Sequence, residues 1–166
     1  MCGFAGFITK KDFKLESVAK NMSDSIAHRG PDDEDIWIKK DLGLAISFRR
    51  LSIIDLSLNG RQPMVSYDNR YVIAFNGEIY NFKLILKKLV ETAKNENLKF
   101  TPQGTSDTEI LVNSFAIFGI EKTLSLIIGQ FAIVLWDNFE KKIHLIRDRM
   151  GEKPLYYGFV NGSFTF

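Results

Sequence analysis

Met1-Cys2-Gly3-Phe4-Ala5-Gly6-Phe7 opens the chain and holds its only cysteine at the second position. The run Gly3–Thr9 is rich in small and apolar residues and predicts a buried strand, so the thiol stands directly before the core. Removal of Met1, which a small second residue such as cysteine permits, would leave Cys2 with both a thiol and a free α-amino group. An α-amine titrates at about pH 8 and can serve as the base for a nucleophile on its own residue. Taken alone, however, the position favours a small buried apolar residue.

The composition is typical of one globular domain in a reducing cytoplasm. The chain has 166 residues, of which 45% are apolar and 25% are charged, and its net charge is +2. This balance gives no electrostatic case for nucleic acid or for an anionic membrane surface as a partner. The apolar runs are too short to span a membrane, no secretory signal is visible, and one cysteine excludes an internal disulfide. The two histidines, His28 and His144, are too far apart in sequence to suggest a metal site.

Strand patterns cluster at both ends of the chain, with helical patterns between them. The predicted strands are Gly3–Thr9, Asp35–Ile38, Leu42–Phe48, Tyr71–Phe75, Gly129–Asp137, Lys142–Arg147, Leu155–Val160 and Ser163–Phe166. Helices are predicted at Leu15–Ala27, at Phe82–Lys94 and after the capping box Ser106-Asp107-Thr108-Glu109. This order favours an α+β fold in which helices cover antiparallel sheets. Because the last predicted hairpin, which turns at Asn161-Gly162, ends in uncovered apolar residues, we expect the chain to be part of a longer polypeptide.

Three polar segments carry groups that suit a small zwitterion. The guanidinium of Arg50 could bind a carboxylate through two hydrogen bonds, although Arg49-Arg50 alone favours two solvated side chains. Asn76-Gly77 offers a side-chain amide and a backbone N–H that could converge on an oxyanion, although the pair alone favours a tight turn. Asp107, as the first residue of a helix, would interact favourably with the helix dipole and could also hold an ammonium group.

Together, these segments closely resemble the glutaminase domain of glutamine-hydrolysing asparagine synthetases. That domain is a class II glutamine amidotransferase and belongs to the N-terminal nucleophile hydrolases. Six blocks in family order carry the resemblance over essentially the whole chain: Met1-Cys2-Gly3, His28-Arg29-Gly30-Pro31-Asp32, Arg50–Asp55 with Gln62-Pro63, Phe75–Asn81, Ser106–Glu109 and Asp148–Tyr157. One block would be weak evidence, whereas six together are highly specific.

The resemblance implies a fold, a reaction and a set of site residues for residues 1–166. The implied fold is a four-layer αββα sandwich of two antiparallel sheets, and the implied reaction converts glutamine and water to glutamate and ammonia. By the same resemblance, Cys2 is the nucleophile, while the Asn76 side chain and the Gly77 N–H form the oxyanion hole. The implied glutamine contacts are Arg50 for the α-carboxylate, helped by backbone groups around Ile53 and Ile54, and Glu78 and Asp107 for the α-ammonium.

The resemblance also implies components that this chain lacks. Asparagine synthesis from aspartate needs a C-terminal synthetase domain, supplied in cis or in trans, and only that absent domain would use ATP and Mg²⁺. For the glutaminase domain we expect no cofactor and no metal; L-glutamine is the implied ligand, and a homodimer remains open. An acceptor such as a sugar or a purine precursor, or a non-catalytic remnant of the fold, are the alternatives. One departure is Phe48, where the family often has histidine, so substrate affinity or loop packing could differ.

Overall fold

The computed structural model describes residues 2–11, 14–51 and 60–166. In these ranges the strands are β1 (Gly3–Ile8), β2 (Asp33–Lys39), β3 (Leu44–Arg50), β4 (Met64–Val65), β5 (Tyr71–Ile79), β6 (Gly129–Asp137), β7 (Lys142–Arg147), β8 (Gly158–Val160) and β9 (Ser163–Thr165). The helices are α1 (Leu15–Ser25), α2 (Phe82–Asn95), α3 (Asp107–Phe118) and α4 (Ile120–Leu126), with short 3-10 turns at Ala27–Arg29 and Lys40–Leu42. All predicted elements are present with shifts at their ends, whereas the short strand β4 and the short helix α4 are not predicted from the sequence.

The strands form two antiparallel sheets, ordered β2-β3-β1-β9-β8 and β4-β5-β6-β7. The sheets pack face to face because alternate residues of the central strands are apolar on the shared side. The side chains of this inter-sheet core are Leu44, Ile46, Phe48, Val72, Ala74, Val134 and Trp136. On the outer faces, Ala45 packs against α1, and Ile73 packs beneath α2 and α3. The layers therefore run helix, sheet, sheet, helix, which confirms the predicted αββα sandwich.

Strand β5 corrects one expectation from the sequence. It continues through Asn76-Gly77 to Ile79 and pairs with β6 along its whole length, so the prediction of a tight turn at this pair is wrong. The physical reason lies far away in sequence, because β6 offers a partner residue for every position of β5. By contrast, Asn161-Gly162 does form the predicted turn, and both residues have positive φ angles. The strand before that turn begins at Gly158, later than predicted.

Phe48 belongs to the core between the sheets. Its side chain is 1% exposed and packs in the same cluster as Val72 and Trp136. The aromatic ring at this position therefore contributes apolar packing between the two layers.

Among the described residues, no helix combines the length and the apolar character that crossing a membrane requires.

Candidate active site

One cavity of about 370 Å³ gathers most of the predicted site residues, and its volume suits a small ligand. Its lining includes Cys2, Arg50, Asn76, Gly77, Glu78 and Asp107. The two other predicted contacts, Ile53 and Ile54, lie outside the residues that the structure describes. Segments that are distant along the chain thus meet in this cavity.

The thiol of Cys2 lies where the start of β1 meets the end of β3. These strands are antiparallel, with Gly3 opposite Arg49, so the residue before β1 lies beside the residues that follow Arg49. The backbone N–H of Leu51 donates a hydrogen bond to Sγ of Cys2 at 3.3 Å, and Sγ lies 3.6 Å from the Leu51 carbonyl oxygen. This contact holds the partly buried thiol in the wall of the cavity, next to Arg50.

Arg50 is the last residue of β3 and is only 8% exposed. The interpretation of Arg49-Arg50 as two solvated side chains is therefore wrong for Arg50. Consecutive strand residues point to opposite faces, so Arg49 turns away and forms ion pairs with Asp24 and Glu34. A buried guanidinium beside the cavity is well suited to bind a carboxylate with two parallel hydrogen bonds.

The block His28-Arg29-Gly30-Pro31-Asp32 supports the end of β3 from behind. A Cβ atom on Gly30 would lie 2.4 Å from the backbone carbonyl carbon of Arg49, so a side chain here would displace the strand. The Asp32 N–H also donates to the carbonyl oxygen of Arg50 at 3.1 Å. This block therefore positions Arg50, and none of its residues is among those that line the described part of the cavity.

Asn76 and Gly77 bring two hydrogen-bond donors to the same wall. The Asn76 side chain is 7% exposed and, by strand alternation, lies on the inter-sheet side together with Glu78. A Cβ atom on Gly77 would lie 2.1 Å from the carbonyl oxygen of Gln130 on β6, so only glycine fits at this position. The side-chain amide and the adjacent backbone N–H are the kinds of donor that stabilise a developing oxyanion.

Asp107 enters the cavity from the first position of α3. The Ser106 hydroxyl accepts a hydrogen bond from the Glu109 N–H at 3.2 Å, which confirms the predicted helix start. One oxygen of the Asp107 carboxylate accepts from the Ile79 N–H at 3.0 Å and so ties α3 to the end of β5.

Burial and the neighbouring Glu78 destabilise the charge on Asp107. Burial raises the pKa of its carboxyl above the ordinary value, and the nearby charge of Glu78 raises it as well, while hydrogen bonds from the N–H groups of Ile79 and Thr108 lower it. A cation placed beside Asp107 and Glu78 would relieve both the desolvation and the repulsion. The electrostatics of this wall therefore favour an ammonium group.

The cavity also contains residues that the sequence reasoning did not assign. The additional lining residues are Leu51, Gly60, Gln62, Phe75, Ser106, Thr108, Gln130 and Lys153. The sequence blocks that carry the family resemblance include Gln62, Thr108 and Lys153, so the sequence offered a signal for these three residues. No sequence signal marks Gln130, because this residue reaches the site only through the pairing of β6 with β5, in which it lies opposite Glu78. In the described ranges no cluster of His, Cys, Asp or Glu could hold a metal ion.

Lys153 is placed by a rigid loop that Asp148 organises. Burial would raise the pKa of the Asp148 carboxyl, but backbone N–H groups donate to it and lower the pKa to about 2. Three of these donors are Glu152 at 2.9 Å, Lys153 at 3.1 Å and Phe131 of β6 at 3.1 Å. The loop after β7 is thereby anchored to β6, on the side where Lys153 lines the cavity.

Comparisons with known proteins show the family to which the chain belongs. The family described as "Glutamine amidotransferase domain" matches residues 1–166. The chain is 42% identical over 161 residues to asparagine synthetase [glutamine-hydrolyzing] 2 of Bacillus subtilis (strain 168), covering 95% of this chain and 20% of that protein. It is 36% identical over 170 residues to asparagine synthetase [glutamine-hydrolyzing] 1 of the same organism, covering 100% of this chain and 25% of that protein. The chain thus spans a fifth to a quarter of the length of these relatives.

A solved structure shares the fold. The glutamine phosphoribosylpyrophosphate amidotransferase of B. subtilis superposes with a TM-score of 0.74, over 98% of this chain and 41% of that chain. The two sequences are 18% identical, so this likeness bears on the fold alone. It supports the αββα sandwich as the fold of this chain.

Proposed function

The chain belongs to the family of glutamine amidotransferase domains, and on this premise we propose that it hydrolyses L-glutamine to glutamate and ammonia with Cys2 as the nucleophile. One observation carries the proposal: a single cavity holds the thiol of Cys2, the donors of Asn76 and Gly77, and the charged groups Arg50 and Asp107. These groups match the two ends of glutamine, a reactive side-chain amide and a zwitterionic α-carbon.

The proposed reaction begins once Met1 has been removed. The Cys2 thiol transfers its proton to its own α-amine, and the sulfur attacks the carbon of the glutamine side-chain amide. The carbonyl oxygen becomes an oxyanion that accepts hydrogen bonds from the Asn76 amide and the Gly77 N–H. The α-ammonium then returns the proton to the leaving nitrogen, the C–N bond breaks, and ammonia departs from a thioester. Water attacks the thioester through the same oxyanion site and releases glutamate and the thiol.

Binding at the α-carbon end places the amide beside the sulfur. Arg50 would hold the α-carboxylate, and Glu78 and Asp107 would receive the α-ammonium. Holding the substrate at both charges converts a bimolecular attack into an effectively unimolecular one. The entropy cost of bringing the reactants together, which is a large part of the barrier in reactions of this kind, is then met on binding.

The direct test is an assay of the chain with L-glutamine. We expect glutamate and ammonia in equal amounts, and no comparable turnover of L-asparagine, whose amide is one methylene closer to the α-carbon and would not reach the thiol. The intact mass of the same sample must show that Met1 is absent. A fully processed preparation that releases no ammonia from glutamine would refute the proposed function.

The pH dependence of glutamine binding should report on Asp107. Burial raises the pKa of its carboxyl, so the carboxylate needed for the α-ammonium is lost at a higher pH than for an ordinary aspartate. We expect kcat/KM to fall as the pH drops through this raised pKa, chiefly through a higher KM. By the same linkage, the contribution of Asp107 to folding stability is fully present below its ordinary pKa and is lost as the pH rises through the raised value.

The matched variant for this profile is Asp107→Asn. Its side-chain oxygen can still accept the Ile79 N–H, so the fold is retained while the titrating charge is removed. We expect a raised KM at every pH, and we expect the fall of kcat/KM at acidic pH to disappear. If kcat/KM of Asp107→Asn still falls at acidic pH as in the wild type, the titrating group is another residue.

We further propose that the ammonia serves ATP-dependent synthesis of asparagine from aspartate in a synthetase domain, either attached or separate. The names of two relatives, both glutamine-hydrolysing asparagine synthetases, support this acceptor. Since the chain spans a quarter or less of their length, the acceptor is chosen by residues outside it. Addition of the synthetase domain with aspartate and ATP, followed by detection of asparagine, tests this step separately from glutamine hydrolysis.

A further inference from the structure

Gln62 connects the two walls of the cavity through one buried side chain. It is 7% exposed, and its Oε1 accepts a hydrogen bond from the Phe75 N–H at 2.7 Å. Its Nε2 donates to the Thr108 hydroxyl at 3.1 Å. Phe75 directly precedes Asn76 on β5, and Thr108 directly follows Asp107 on α3. The strand that carries the oxyanion donor is thus joined to the helix that carries the buried carboxylate.

The edge of β5 explains why a side chain is needed here. Tyr71 exchanges hydrogen bonds with Ser66 on the edge of β5 that faces β4. Because the N–H groups of every second strand residue point to the same edge, the N–H of Phe75 also points to this edge. However, β4 pairs with β5 only through Met64 and Val65, and its backbone does not extend to Phe75. Gln62 supplies the missing acceptor, and a buried N–H without one would cost about 1–3 kcal/mol.

The orientation of the Gln62 amide follows from its partners. A backbone N–H can only donate, so the amide atom that faces Phe75 must be the oxygen. The amide nitrogen therefore faces Thr108, whose hydroxyl oxygen can accept. One planar group with a fixed direction thus sets the distance between β5 and the first turn of α3.

We propose that Gln62 is a positioning residue that holds Asn76 and Asp107 at the separation that glutamine requires. This inference rests on the proposed function, because the separation matters only for a substrate that reaches both groups. Glutamine has a fixed number of bonds between its ammonium and its amide. A shift of β5 relative to α3 would therefore misplace the oxyanion donors whenever the ammonium is bound, and a misplacement of about 1 Å can lower a rate by about 100-fold.

Three variants distinguish the effects of the two hydrogen bonds that the Gln62 amide makes, one to Phe75 and one to Thr108. Gln62→Met keeps the length of the side chain but removes both bonds, and we expect kcat to fall by about tenfold or more together with a rise in KM. Gln62→Glu keeps an acceptor for the Phe75 N–H and can accept from the Thr108 hydroxyl, so its kcat should lie closer to that of the wild type. Thr108→Val removes only the bond to α3 and so breaks the same bridge, and we expect kcat to fall and KM to rise as in Gln62→Met.

Hydrogen exchange at the Phe75 amide gives a readout that needs no activity. We expect faster exchange in Gln62→Met than in the wild type, and slow exchange in Thr108→Val, with thermal unfolding confirming that each variant is folded. If Gln62→Met does not fold, Thr108→Val compared with Gln62→Glu still tests the proposal, because only Thr108→Val breaks the bridge to α3. The proposal is overturned if Gln62→Met exchanges and turns over like the wild type, or if Thr108→Val turns over like the wild type. A wild-type chain without glutaminase activity would refute the proposed function instead, while the exchange data would still report on the bond.

Discussion

Replacement of Cys2 by alanine should lower glutamine hydrolysis by at least about 10³-fold, because no other group in the cavity can form the thioester. The change removes one sulfur atom from a partly buried position and breaks only weak sulfur contacts with the backbone N–H and carbonyl oxygen of Leu51, so the fold should be retained. Hydrolysis of glutamine by Cys2→Ala at a rate near that of the wild type would contradict the assignment of the nucleophile.

Covalent labelling offers an independent measurement of the same residue. Cys2 is the only cysteine of the chain, so an electrophilic glutamine analogue can modify no other thiol. We expect one label per chain, competition by glutamine, and no label on Cys2→Ala. Samples that retain Met1 provide the matched control for the α-amine, since they carry the same thiol with the nitrogen locked in a peptide bond. Full hydrolysis by such samples would exclude the α-amine as the base.

Much of the fold can be predicted from local patterns in the sequence. Gly129–Asp137 and Lys142–Arg147 are observed with the predicted bounds, because alternating or continuous apolar residues end at a polar turn. The start of α3 is equally local, since the Ser106 cap and the Glu109 N–H it binds are three residues apart. Such signals depend on neighbours in sequence, and they place helices and strands without indicating which strands will pair.

The parts of the site that depend on pairing could not be predicted from the residues alone. Asn76-Gly77 carries the signal of a turn, yet β6 keeps it in a strand by offering a partner on every position. Arg50 has the sequence context of a solvated residue, yet it is buried at the end of β3, where the backbone at Gly30 packs closely against the strand. In both cases the family resemblance implies a role that local chemistry left open, and the structure shows the strand pairing and burial that the sequence pattern did not predict.

The split between rate and binding should distinguish the two ends of the proposed site. Arg50→Ala should chiefly raise KM, because the α-carboxylate that it binds keeps its charge throughout the reaction. In the proposed mechanism Asn76, in contrast, would face an oxygen that becomes negative only as the sulfur attacks. Arg50→Ala therefore serves as the control for any variant of Asn76, since both remove a buried polar side chain from the same cavity.

Asn76→Ala is expected to lower kcat by about 10²–10³-fold with a much smaller change in KM, which corresponds to about 2.7–4 kcal/mol of transition-state stabilisation. The loss falls on kcat because the amide hydrogen bond strengthens as charge develops on the oxygen, and the ground-state carbonyl gains less from it. Gly77 cannot be tested as cleanly, since a Cβ atom there would overlap the Gln130 carbonyl oxygen and shift the strand. Steady-state kinetics of Asn76→Ala beside Arg50→Ala, with thermal unfolding of both, measure the split. A rise in KM at constant kcat for Asn76→Ala would move Asn76 from the oxyanion hole to substrate binding.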